Sequence, residues 1–229
     1  MLLLVTDTSG KNGTVAVART GERGANDDAE VMEVVPLAGG MFSAQLVPQI
    51  AALLQKHGFN KADIGGFIVV SGPGSFTGLR VGLAAIKALA EILGKPIAAV
   101  SLLELIATTS RVHGKVVAVL DGGRGEVFFG SYAIAGESVQ VLREELLSKA
   151  EFLSAAREST VATPDSNLAA AAREAGITVS EVEAPGAEMI ARFGWKKMQA
   201  GNNVSPEQLE ANYMRRSDAE IFVKTGSSC

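Results

Sequence analysis

The chain has 229 residues, of which 47% are apolar and 20% charged, with a formal net charge of −4. That size and composition allow a substantial core, as one large domain or two small lobes, and exclude a disordered chain. The acidic balance argues against a protein that grips nucleic acid alone by neutralising phosphates, without excluding a subunit of an RNA-acting complex.

In chain order, residues 2–6 read as a strand, 7–13 as a polar turn and 14–18 as a second, alternating strand, with Asn12 and Gly13 as the hairpin signal. Residues 21–28 form a polar surface turn, and 30–36 a third strand. Ser43 is the expected cap of a helix running to about His57, with Gly58 as its stop. Leu46, Ile50, Leu53 and Leu54 share one side of it, and Pro48 falls near the end of the first turn. Residues 67–70 are a short β-branched run, as in a strand covered on both faces. After a turn through Gly72, Pro73 and Gly74, Ser75 or Thr77 caps a long helix that Gly94 and Pro96 end. Residues 97–100 are a further buried strand, and Ser101 with Glu104 opens a short helix over 102–109.

The second half again begins with strands. Residues 115–120 lead into a glycine turn after Asp121, and 127–134 and 138–142 form a hairpin around Ala135 and Gly136. Ser148 and Glu151 make a capping box for a helix through Arg157, and 160–163 is strand-like. Residues 167–175 form an alanine-rich helix stopped by Gly176, 177–182 is strand-like, and 187–200 is a helix stopped by Gly201. Ser205, Pro206 and Gln208 carry the signals of a last helix, and the tail after Thr225 reads as unstructured. Each half opens with a strand that ends in an Asp and a turn of small residues, which suggests two related lobes facing a cleft.

The long helix has two faces. Leu79, Leu83, Ile86, Ala90 and Leu93 form a core stripe. Gly78, Gly82, Ala85 and Leu89 form a second row, whose glycines cost about 1 kcal/mol each in helix propensity. Such a groove admits another backbone, either from the same chain or from a second subunit, and the pattern leaves both owners open.

Several chemistries fit poorly. No lysine followed by Ser or Thr comes after Gly78, as a P-loop requires, and Gly72, Gly74 and Gly78 are one residue too widely spaced for a dinucleotide fingerprint. Backbone N–H groups at the helix start still offer an anion site. Asp7 and Asp121 stand at strand ends and suit either a hydrated magnesium ion or plain turn capping. His57 and His113 are the only histidines and make no zinc pair, and Ser75 lacks the glycine two residues before it that a nucleophile elbow needs. Cys229 alone builds no disulfide or thiolate site, which fits a reducing compartment. The apolar start lacks a basic region and meets Asp7 too early for a signal peptide, and no run spans a membrane. A cytoplasmic protein is the expectation.

The segment SGPGSFTGLRVGL (71–83) resembles the signature of the bacterial TsaB proteins, within the actin-like, sugar-kinase-like ATPase fold. DTS (7–9), DGGRGEV (121–127) and YMRRSDAE (213–220) match the same pattern, so the resemblance spans essentially the whole chain. It implies an α/β, two-lobed fold of mixed sheets flanked by helices, with lobes at 1–100 and 101–229, the second reduced and the last helix packing back on the first.

The resemblance further implies a non-catalytic scaffold for transfer of a threonylcarbamoyl group to N6 of the adenosine beside the anticodon, in tRNAs reading codons that start with A. The catalytic paralogue TsaD carries the metal motif. TsaB pairs with TsaD through two N-terminal helices, here 43–57 and 78–93, helps recruit the ATPase TsaE, and forms homodimers when alone. The interface expected on this basis comprises Leu46, Ile50, Leu53, Leu54, Gly78, Gly82, Ala85 and Leu89. A vestigial nucleotide or anion site would use Asp7, Thr8, Ser9, Gly74, Ser75, Thr77 and Asp121, with no required cofactor, no metal, nucleotide only in the complex, and tRNA met only through it. Many family members have a His at the start of the first helix, where this chain has Phe42. The other reading is an enzyme, a stand-alone ATPase or phosphotransferase of this fold or a peptidase.

Overall fold

The computed structural model describes residues 1–21, 28–136 and 138–214. The expected turn at 21–28 and the tail beyond 214, with Cys229, lie mostly or wholly outside them. The first half runs β1 (Leu2–Asp7), β2 (Gly13–Thr20), β3 (Ala29–Leu37), α1 (Phe42–Lys56), β4 (Ile64–Gly72), α2 (Phe76–Leu93), β5 (Ile97–Ser101) and α3 (Leu102–Thr109). The second half repeats that order as β6 (Gly114–Gly123), β7 (Glu126–Ala135), β8 (Ser138–Ser148), α4 (Lys149–Ala155), β9 (Thr160–Thr163), α5 (Ser166–Glu174), β10 (Val179–Glu181) and α6 (Ala187–Gln199).

The repetition extends to pairing. One sheet has the order β3-β2-β1-β4-β5 and the other β8-β7-β6-β9-β10. In each, the first three strands are antiparallel neighbours, and the last two join in parallel through a helical crossover. This is the duplicated, two-lobed arrangement of mixed sheets and flanking helices of an actin-like ATPase fold. The second sheet is the smaller at its parallel edge, where β9 has four residues and β10 three.

Strand alternation feeds four cores, one on each face of each sheet. In β1, Leu2 and Leu4 pack under α1 and α2, while Leu3 and Val5 pack under α6. In β6, Val117 and Val119 face α4 and α5, while Val116 and Ala118 face α3. Strands covered on both faces are apolar at consecutive positions, which is why these segments lack a polar alternation. The last helix of each half crosses over: α3 covers the second sheet, and α6 covers the first, packing on β1, β3, β4 and β5. Lys197 Nζ of α6 donates to Glu104 Oε2 of α3 at 2.9 Å, joining the two exchanged helices.

Three local expectations change. Ser43 lies inside α1 and does not cap it. Met41 is the N-cap without a side-chain bond, its carbonyl accepting from Ala44 and Gln45 N–H, and Phe42 opens the helix with its ring buried. The hairpin strand expected to end at 142 continues to Ser148, because β7 stays long enough to pair with it. At Ser205 the reciprocal bonds of the capping box form, with Ser205 N–H to Gln208 Oε1 and Gln208 N–H to Ser205 Oγ, yet only a single turn follows. There Leu209 is drawn into the core of the first lobe, and the Asn212 N–H bonds Ser71 O, so tertiary partners take the groups a helix would use.

Candidate functional site

The cleft between the lobes is built from equivalent parts of the two halves. β1 ends at Asp7, whose Oδ1 accepts from Ser9 N–H at 2.8 Å and from Ser9 Oγ at 2.6 Å. β6 carries Asp121 two residues before its end, and Asp121 Oδ1 accepts from Gly123 N–H at 3.0 Å. Both aspartates therefore bond the backbone two residues on, the turn-capping geometry. Burial pushes the Asp7 carboxyl above its usual range, and its two bonds from Ser9 hold it down in part. Asp121 is exposed.

The glycine-rich stretch has a definite use. The loop after β1 lies along the start of α2. Ser75 N–H donates to Ser9 O at 2.6 Å, and Thr8 Oγ1 donates to Gly78 O at 2.8 Å. A Cβ at Gly74 would stand 2.3 Å from Ser9 O, at Gly78 2.1 Å from Thr8 O, and at Gly82 2.2 Å from Thr8 Oγ1. The three glycines, spaced by four, form the track on which this loop rests. Ser75 caps α2, its Oγ accepting from Gly78 N–H, whereas Thr77 is the second residue of the helix.

These elements enclose a cavity of about 730 Å³. Phe42, Phe76, Val81 and Phe128 supply apolar wall. Ser9, Lys11, Ser75, Thr77, Asp121 and Arg124 bring polar groups, and Asn212, Tyr213 and Met214 close one side. Of the residues expected at a nucleotide or anion site, Ser9, Gly74, Ser75, Thr77 and Asp121 line this cavity. Thr8 is spent on the α2 backbone, and Asp7 reaches the cleft only through Ser9. Lys11, Arg124 and Tyr213 also line the cavity but are not among the expected site residues, although Arg124 and Tyr213 fall within the motifs at 121–127 and 213–220. Arg124 has φ 56° at the tip of the β6–β7 turn, a conformation that the residue type itself does not announce. Tyr213 reaches the cleft only because residues 209–214 fold back over the end of β4.

The histidines lie elsewhere. His57 Nε2 and Lys56 Nζ both contact the Glu33 carboxylate, at 2.8 and 2.6 Å, and Lys56 first and His57 second hold that carboxyl below its usual range. His113 is exposed in a loop. Among the described residues, no group of three His, Cys, Asp or Glu side chains is placed to hold a metal ion, and no helix is long and apolar enough to cross a membrane.

The residues expected at a partner interface divide by burial. Leu46, Ile50, Leu53 and Leu54 are core residues, and Gly78 and Gly82 are covered by Thr8 of the same chain. The groove thus has an intramolecular owner, because the β1–β2 loop fills it. Ala85 and Leu89 remain half-buried at its edge. The exposed side of the two helices carries other residues: Ala44, Val47 and Ala51 on α1, and Ala84, Ala88 and Ile92 on α2, with Val47 54% and Ile92 74% exposed. Both rows follow helical spacing, and the charged residues of the two helices are Lys56, Arg80, Lys87 and Glu91.

The sequence and fold have known counterparts. Residues 34–193 match the family model described as TsaD, tRNA N6-adenosine threonylcarbamoyltransferase. The chain is 31% identical over 160 residues to the tRNA threonylcarbamoyladenosine biosynthesis protein TsaB of Bacillus subtilis, covering 69% of this chain and 67% of that one. It is 26% identical to the Escherichia coli protein of the same name over 96% of both. The solved structure of YeaZ from Pseudomonas aeruginosa superposes with a TM-score of 0.68 over 93% of this chain and 99% of that one, at 22% identity, which speaks for the shared fold. The chain belongs to the TsaB proteins, within the TsaD family of tRNA threonylcarbamoyladenosine biosynthesis.

Proposed function

We propose that this protein is the non-catalytic scaffold of the assembly that transfers a threonylcarbamoyl group to N6 of the adenosine next to the anticodon in tRNAs reading codons that begin with A. It pairs with a TsaD-like transferase, helps recruit a TsaE-like ATPase, meets tRNA through that complex and self-associates when alone. The observation that carries this reading is the outer side of α1 and α2, where alanines, Val47 and Ile92 face solvent with little charge between them. Exposed rows of small apolar side chains let helices of another subunit approach closely. Ala85 and Leu89 stand at the border of that surface. The Phe42 ring at the start of α1, packed 6% exposed against the cleft, agrees with a subunit that leaves the transfer chemistry to its partner. The cleft groups Ser9, Ser75, Thr77, Asp121 and Arg124 suit an anion or nucleotide held only within the assembly.

The test is the mass in solution of this protein, alone and mixed with the TsaD-like protein of the same organism. A mixed dimer should replace the homodimer, and Val47→Glu with Ala88→Glu should abolish it while shifting stability by no more than about 0.5 kcal/mol, as exposed substitutions do. Absence of a mixed species at micromolar concentration would overturn the scaffold reading. ATP hydrolysis by the isolated protein, lost in Asp7→Ala, would favour a stand-alone ATPase in its place.

A further inference from the structure

The chain beyond α6 runs along one lobe and then crosses to the other. Val204 N–H donates to Ile97 O at 2.9 Å, pairing with the free edge of β5. Leu209 is 1% exposed in the core beneath α1 and α2. Asn212 N–H donates to Ser71 O at 2.7 Å, and a Cβ on Gly72 would lie 2.9 Å from Asn212 O, so the segment sits directly on the end of β4. Up to this point its partners belong to the first lobe. The Asn212 side chain then donates from Nδ2 to Glu144 Oε2 on β8 of the second sheet. Tyr213 rests 4.9 Å from the Phe76 ring, and Arg80 stacks on that ring at 3.6 Å while its Nε donates to Tyr213 OH at 3.2 Å. Met214 packs against the α3 side of the second sheet.

Glu144 gathers these parts. Its Oε1 accepts from Ser101 Oγ at 3.0 Å, at the end of β5, and from the hydroxyl of Tyr132 on β7. Its Oε2 takes Asn212. One half-buried carboxylate thereby holds donors from the first lobe, the second lobe and the returning segment, and charge-assisted bonds of this kind are the stronger ones. Asn212, Tyr213 and Met214 also form a wall of the cleft, so the same segment that ties the lobes bounds the space between them.

We propose that residues 209–214 are an interlobe strap, clasped by Glu144, which sets the width of the cleft and must release for the cleft to widen. The inference rests on contacts within this chain and is independent of the partner assigned above.

The test uses the full chain with spin labels at Lys11→Cys and Arg124→Cys, exposed cleft residues on opposite lobes, in a Cys229→Ser background. Glu144→Gln keeps an acceptor for Ser101 and Tyr132 but turns an NH2 toward the Asn212 NH2. Asn212→Asp sets carboxylate against carboxylate. Each single variant should lengthen and broaden the interlabel distance. The double variant swaps donor and acceptor and should restore the parent distribution. Single variants indistinguishable from the parent, or a double variant as wide as the singles, would overturn the strap. Should the Glu144 and Asn212 variants fail to fold, Met214→Ala decides alone, because it removes a half-buried contact of the segment with the second lobe: a longer distance supports the strap and an unchanged one refutes it.

Discussion

Asp7 stores an electrostatic cost at the cleft. Its carboxyl is desolvated, and the two bonds from Ser9 offset that only in part, so its pKa lies above the ordinary 3.8. The folded protein therefore binds this proton more tightly than the unfolded chain. The stabilisation from the protonated form is complete below pH 3.8 and is lost as pH rises through the folded value. Asp7→Asn keeps an acceptor for both Ser9 groups and removes the charge, so it should melt above the parent at pH 7, with the gain shrinking toward pH 3.8. Melting curves across that range check this, and a gain that grows on acidification would contradict it. Gly82 makes the opposite point. From the sequence its row could have met a second subunit, but Thr8 Oγ1 occupies the space a Cβ would need. Gly82→Leu should therefore destabilise the monomer by about 1–3 kcal/mol or more through overpacking. A normal melting temperature with lost association would instead put the groove at an interface.

Elements were most legible where their signals are local. The four-residue strand at 160–163, the capping box at Ser148 and Glu151, and the stop of α2 at Gly94, which adopts φ 61°, all depend on neighbours in the chain. Ser75 caps α2 through an oxygen on Gly78 N–H, and Ser75→Ala should cost about 1 kcal/mol, read by denaturant titration. No loss would mean that the loop bond from Ser75 N–H to Ser9 O holds the helix start by itself. The same signals misled where a tertiary partner competed. Ser43 looked like a cap, but burial of the Phe42 ring pulls the helix start two residues earlier, with Met41 as the N-cap. Ser205 and Gln208 form their box, but Leu209 and Asn212 are claimed by the first lobe within a turn. At the cleft, the polar turn and the anion-site glycines were legible as small-residue clusters. Lys11, Arg124 and Tyr213 were not, because facing a cavity leaves no periodic trace in the chain.

On the scale of the molecule, the exchange of α3 and α6 makes each sheet depend on a helix from the other half. Ile190 of α6 is 1% exposed against the first sheet, although it follows the second sheet in the chain. Ile190→Ala should cost about 2–5 kcal/mol as a core truncation. Calorimetry should show one transition that moves as a whole, whereas two transitions, with only one displaced, would mean that the lobes unfold separately. The duplicated order of strands and helices was visible in the sequence because apolar runs, glycine stops and caps are written locally, and the long motif at 71–83 marked the family. Which side of α2 is left exposed, which sheet each last helix covers and where residues 209–214 run were decided only by tertiary structure. Those outcomes rest on pairs such as Thr8 with Gly78 and Ser71 with Asn212, groups far apart in sequence whose desolvation and hydrogen bonding are settled together when the lobes assemble.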